Sequence, residues 1–192
     1  VVDVDGVKIG DGSFVTMAGP CSIEGLDQIR ECARMAKAGG AKILRGGAFK
    51  PRTSPYAFQG LEEEGLKYIR QAADEFGMKV ITEVMDEGHI DMVAEYSDIL
   101  QIGARNMQNF KLLSAVGKTG KPSHGTGIWD LVPPMARAGV ASGADGMIVE
   151  IHPDPANAWS DGPQSLNEKT YSRMMKEVTI MKEAMEKIQT LD

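Results

Sequence analysis

Short apolar runs, each closed by glycine or a charge, alternate along this chain with longer stretches whose apolar residues recur every three or four positions. The first pattern predicts a buried strand, the second a helix with one inward face. Phe14–Ala18 predicts a strand ending at Gly19-Pro20-Cys21. Leu26, Ile29, Ala33 and Ala36 then predict a helix, stopped by Gly39-Gly40. Residues 42–46 predict the next strand. Leu66, Ile69, Ala73 and Phe76 mark the inner face of a helix over 61–76, with Gly77 as its C-terminal cap. A strand over 79–84, a short helix over 88–96, a strand over 98–102 and a helix over 107–116 follow. Gly146–Ile151 reads as a clear strand, and 166–189 as a long amphipathic helix. Residues 1–12 suit a small hairpin ahead of the first unit.

Strands alternating with helices predict a parallel α/β architecture. Polar residues stand just past the strand ends: Cys21, Arg45, Glu83, Arg105 and Glu150. An open doubly wound sheet places ligands there, and so does a TIM (β/α)8 barrel. No Gly-x-Gly-x-x-Gly follows the first strand, and the polar residues are spread over all the units, so the barrel is expected. The strand count falls short, with no convincing strand between Ile102 and Met147. Gly117-Lys-Thr-Gly-Lys-Pro122 reads as a loop entering a strand. The next residues, Ser123-His-Gly-Thr-Gly127, read as a loop leaving one.

A length of 192 residues suffices for one well-buried domain or two small ones. A net charge of -6 and the lack of a basic run argue against nucleic acid. No apolar stretch approaches the roughly 20 residues that span a bilayer, and no secretory signal is seen, so no membrane partner and a cytoplasmic location are expected. The two cysteines, Cys21 and Cys32, cannot form a disulfide framework and are expected as free thiols or ligands. The chain opens on Val1 rather than methionine, which suggests a missing N-terminal segment.

Against that acidic background, Lys42–Pro55 stands out. Arg45, Lys50 and Arg52 surround a Gly46-Gly47 loop, and Thr53 and Ser54 add hydroxyl donors. Arg and Lys bind phosphate and carboxylate through charge-assisted hydrogen bonds, so a small, multiply anionic ligand is expected. Arg105, just past another strand, matches Arg45 in position. Cys21, His124, Glu150 and Asp161 form a candidate ligand set for a borderline divalent ion such as Mn, Fe, Co or Zn. Singly, each has a plainer reading: a buried thiol, a loop histidine, a turn aspartate. A carboxylate inside Met-Ile-Val-Glu-Ile is costly unless paired or coordinated. His152 shares the strand face of Glu150 by two-residue alternation, so either is a candidate ligand. His89 is expected on a solvated helix face and Cys32 in the core.

The motifs Gly19-Pro-Cys-Ser-Ile-Glu24, Arg45-Gly-Gly-Ala-Phe-Lys-Pro-Arg-Thr-Ser-Pro55, Gln101-Ile-Gly-Ala-Arg-Asn106, Ser123-His-Gly-Thr-Gly127 and Val149-Glu-Ile-His-Pro153 together resemble the 3-deoxy-D-arabino-heptulosonate-7-phosphate (DAHP) synthases. The similarity is to the shorter bacterial class-I type, which also resembles the octulosonate-phosphate synthases. The resemblance implies a single catalytic TIM barrel over 1–192 that condenses phosphoenolpyruvate with erythrose 4-phosphate, the first step of the shikimate pathway. It implies a divalent metal on Cys21, His124, Glu150 and Asp161. It also implies phosphoenolpyruvate on Arg45, Lys50 and Arg105, and the erythrose 4-phosphate phosphate on Arg52, Thr53 and Ser54. Lys50 is a candidate proton donor to the new hydroxyl, with metal-bound water and Glu83 as rivals. A homodimer or homotetramer is implied.

Family members carry, between the Gly-Lys-Pro loop and Ser-His-Gly, strands five, six and most of seven. This chain joins Pro122 directly to Ser123. The expectation is therefore a barrel lacking those strands, through a real deletion or an artificial join. If the deletion is real, exposed strand edges predict poor solubility and little activity. An inactive fragment with a binding or assembly role, and an octulosonate-phosphate synthase, are the alternatives. No regulatory module is expected within these residues.

Overall fold

The structure, a computed structural model, describes residues 1–50, 56, 58–103, 106, 108–117 and 132–190. An antiparallel hairpin, β1 (Val2–Val4) and β2 (Val7–Ile9), opens the chain. Five parallel strands follow among the described residues: β3 (Val15–Gly19), β4 (Ile43–Arg45), β5 (Lys79–Glu83), β6 (Ile99–Gln101) and β7 (Gly146–Glu150). Their order across the sheet is β6-β5-β4-β3-β7. The four strands consecutive in sequence are thus neighbours, and the late strand β7 closes onto the first. That is the wrap of a partial α/β barrel.

Strand parity sorts the core into two clusters. Val15, Ile43, Ile81 and Ile99 face one side, joined by Val4 of the hairpin and flanked by Val7, Ile9, Met17 and Ile148. Ala18, Leu44, Val80, Leu100 and Val149, one position along, face the other side and pack against the helices. The hairpin caps the inner cluster. Fully burying each such aliphatic side chain contributes about 1.5–3 kcal/mol.

The helices lie where periodicity put them. α1 (Leu26–Ala38) has Asp27 in its first turn and Lys37 in its last, each complementing the helix dipole. It ends at Gly39-Gly40, where Gly40 takes a φ of 87° that only glycine adopts cheaply. α2 (Glu62–Glu75), α3 (Ile90–Tyr96) and α4 (Phe110–Gly117) follow. α6 (Glu168–Gln189) starts at Asn167, whose side chain accepts the Thr170 N–H at 3.0 Å. Tyr171, Met174 and Val178, one face of α6, enter the outer core.

Three expectations shift. The helix expected over 107–116 begins at Phe110. A turn of 3-10 helix, Glu87–His89, precedes α3. A helix that the sequence reading did not foresee, α5 (Val132–Ala141), packs on α6 and β7. Pro133 and Pro134 read as breakers, yet they sit in its first turn, where a missing N–H costs nothing. The Pro122–Ser123 join lies outside the described residues.

Candidate active site and metal centre

Two residues beyond each inward apolar position, the strands end in polar groups. Ile43 is followed by Arg45, Ile81 by Glu83, Ile99 by Gln101 and Ile148 by Glu150. The parallel register sets Gly19 beside Glu150, Arg45 beside Ile81 and Glu83 beside Gln101. The C-terminal rim of the sheet is therefore lined with charge above an apolar floor.

Cys21 leaves β3 into a loop that pairs with the loop after β4. Gly47 N–H donates to Cys21 O at 3.1 Å, and Ile23 N–H to Gly47 O at 3.0 Å. A Cβ on Gly47 would lie 2.6 Å from both Cys21 O and Lys50 Nζ. Glycine there lets Lys50 fold back, so that its ammonium donates to Cys21 O and, at 2.9 Å, to Cys21 Sγ. The Cys21 thiol donates to Asp161 Oδ2 at 2.8 Å and lies 3.3 Å from Ser160 Oγ. Asp161 itself takes left-handed backbone, with φ at 52°.

Arg45 spans the rim. Its Nη1 donates to Glu150 Oε1 at 2.7 Å and to Pro20 O at 3.1 Å, and its Nε to Gln101 Oε1 at 3.3 Å. Gln164 donates to the other Glu150 oxygen. The Glu83 carboxylate stands against Gly103, where a Cβ would come within 1.9 Å of Oε1.

Burial pushes the Cys21 thiol up, against the pull of the Lys50 and Arg45 charges. Burial, then the Arg45 charge, pushes the Lys50 ammonium down. Burial also disfavours the Arg45 cation, but Glu150 and Cys21 outweigh it and the net shift is upward.

Cys21, Glu150 and Asp161 each offer one ligand atom, and these atoms lie within 4.8 Å of one another. Two donors bonded at about 2.0–2.3 Å to one ion lie at most about 4.6 Å apart. Small side-chain rotations therefore suffice, and a thiolate with two carboxylates suits a borderline divalent cation. Of the two candidates on the last strand, Glu150 joins this cluster and His152 does not. The strand ends at Glu150, and His152 Nε2 lies 3.2 Å from Glu24 Oε2 instead. His89 packs its ring on Phe49, at 4.8 Å between centroids, with Nδ1 2.8 Å from Asp86 Oδ2. Cys32 is fully buried in the outer core.

His124, Arg52, Thr53, Ser54 and Arg105 lie outside the described residues. Four residues around the site were missed: Gln101, Gln164, Ser160 and Glu24. Gln101 was findable, because it shares the inward parity of Arg45 and Glu83. The other three are ordinary polar residues whose partners come from remote segments.

A parallel α/β wrap with converging donors and buried cations at its C-terminal rim defines a barrel-type enzyme. The chain belongs to the DAHP synthetase I family, whose model it matches over residues 1–124 and 121–189. The phospho-2-dehydro-3-deoxyheptonate aldolase of Thermotoga maritima is 39% identical over 252 residues, covering 96% of this chain and 75% of the relative. That alignment is longer than the 192-residue chain, so at least 60 positions of the relative face gaps. The crystal structure of the Thermotoga maritima DAHP synthase superposes with a TM-score of 0.90 at 38% identity, over 96% of this chain and 74% of that one. A truncated form of the Thermotoga synthase gives 0.85 at 34% identity, over 96% and 92%. A 2-dehydro-3-deoxyphosphooctonate aldolase of Acidovorax is 58% identical, but over 40 residues, 21% of this chain and 14% of that one.

Proposed function

We propose that this chain forms one catalytic barrel domain that condenses phosphoenolpyruvate with erythrose 4-phosphate to DAHP and phosphate, with a divalent metal. The observation that carries this reading is the contact between a cation pair and a donor cluster. Arg45 holds Glu150, and Lys50 holds Cys21 Sγ, so an anion on the two cations adjoins the ligand atoms.

Cys21, Glu150 and Asp161 would hold the metal, with His124 as the fourth ligand. Bound there, a divalent ion supplies Lewis-acid polarisation of the aldehyde oxygen. Arg45, Lys50 and Arg105 bind the carboxylate and phosphate of phosphoenolpyruvate, while Arg52, Thr53 and Ser54 take the phosphate of the aldose. The enol carbon attacks the aldehyde, water adds at the resulting cationic carbon, and phosphate leaves by C–O cleavage. Lys50 Nζ gives a proton to the new hydroxyl. Burial and Arg45 favour that release.

Phosphate release from phosphoenolpyruvate, measured with erythrose 4-phosphate or arabinose 5-phosphate before and after chelation, tests this. Turnover specific for erythrose 4-phosphate and abolished by chelator is expected. Chelator-insensitive turnover overturns the metal role, and a preference for arabinose 5-phosphate points to the octulosonate reaction. The two-segment family match favours one further reading. The segment between the Gly-Lys-Pro and Ser-His-Gly loops, with strands five, six and most of seven, is missing here, and this chain keeps a half-site. Metal binding without phosphate release is the signature of that fragment.

A further inference from the structure

Three separate segments supply the donor cluster, and one carboxylate ties them together. Glu24 follows Cys21 by three residues. Its Oε1 accepts the Trp159 backbone N–H at 2.6 Å, two residues before Asp161. Its Oε2 meets His152 Nε2 at 3.2 Å, two residues after Glu150. His152 Nδ1 accepts the Asp154 N–H at 3.1 Å, so Nε2 is the nitrogen that donates to Glu24. Gln28 braces the loop from beneath, its Oε1 taking the Glu24 N–H at 3.3 Å and its Nε2 donating to Ser22 O at 3.2 Å. The Glu24 and His152 side chains are only 10% and 7% exposed. A carboxylate that deep is costly unless its oxygens are satisfied. Here each oxygen is satisfied by a different metal-bearing segment.

We propose that Glu24 is a positioning residue, holding the segments of Cys21, Glu150 and Asp161 in the relative placement a divalent ion needs without touching the ion. The proposal rests on the metal reading above. Partners that orient metal ligands from outside typically contribute 10–100-fold in metal affinity. Glutamine should not substitute well. Its Oε1 still accepts the Trp159 N–H, but its amide N–H2 then faces the His152 N–H, donor against donor.

The test uses the whole chain, with Co2+ as the probe and the thiolate-to-cobalt charge-transfer absorption as the readout. Wild type should show the band, and Cys21→Ser should lose it. Glu24→Ala should keep the band with its Co2+ affinity weakened about 10–100-fold. Glu24→Gln, which preserves size, should weaken it by about tenfold, and it serves if the alanine variant does not fold. A variant that folds and binds Co2+ within about twofold of wild type overturns the proposal, even if its melting temperature falls. Wild type without a cobalt band overturns the metal reading instead. Amide exchange then decides the clasp: about tenfold faster exchange at Trp159 in Glu24→Ala, which removes the acceptor of that N–H, upholds it, and unchanged exchange sinks it.

Discussion

Arg45 Nη1 lies 2.7 Å from Glu150 Oε1 although 105 residues separate them along the chain. The pair is nearly out of water, at 8% and 18% side-chain exposure, and it joins the end of β4 to the end of β7. Removing one partner of such a pair leaves an uncompensated buried charge, which costs about 3–5 kcal/mol. Arg45→Met is therefore expected to destabilise the fold by that amount in urea unfolding. Arg45→Met combined with Glu150→Met should recover much of it, because no charge is then stranded. A double variant whose loss equals the sum of the Arg45→Met and Glu150→Met losses would show the charges to be independent.

Gly47 leaves room for both the Cys21 carbonyl and Lys50. In Gly47→Ala the new Cβ would meet Cys21 O and Lys50 Nζ, each at 2.6 Å, pushing back the Cys21 loop and expelling the ammonium from it. A hydrogen bond to a charged group is worth about 1.5–3 kcal/mol, so phosphoenolpyruvate affinity measured by calorimetry should fall about 10–100-fold. An unchanged affinity would remove Lys50 from the anion site.

Asn167 caps α6, the helix that brings Tyr171, Met174 and Val178 to the core. Asn167→Ala should cost about 1 kcal/mol and leave metal binding unchanged, read by thermal melting and Co2+ titration. A larger loss of metal affinity than of stability would mean that the cap supports the Asp161 loop.

Acid should loosen the contact between α5 and α6. Glu177 pairs with Arg173 at 2.9 Å and with Arg137 on α5. The Arg173 hydrogen bond holds its carboxyl below the usual range, against an opposing effect of burial, and Arg137 adds to the lowering. A carboxyl held low when folded stabilises above its unfolded pKa, about 4.3, and that stability is lost as pH falls through the lower folded value. Wild type should therefore lose melting temperature below about pH 4.3 more steeply than Glu177→Gln. Parallel curves would assign the acid response elsewhere.

The period of apolar residues was enough to locate β3 to β7 and α1 to α4 and α6 within a few residues, because helices and strands bury one face at fixed spacing. Position at the strand ends likewise marked Arg45 and Glu83 as rim residues, and the structure sets them above the apolar floor. α5 escaped because Pro133-Pro134 signals a break, whereas only the position of the helix start shows them to be harmless. Glu150 and His152 were indistinguishable by alternation, since both share one parity. The end of the strand and the pull of Glu24 separated them.

Amino-acid order alone thus determined the elements other than α5, the charged rim and the types of donor atom, all of which depend on neighbours a few positions apart. Tertiary structure alone decided that Cys21 meets Asp161 and that Arg45 meets Glu150. Those contacts depend on which strand closes onto β3 and on the register of the pairing. Local preference carries no information about partners more than a hundred residues away.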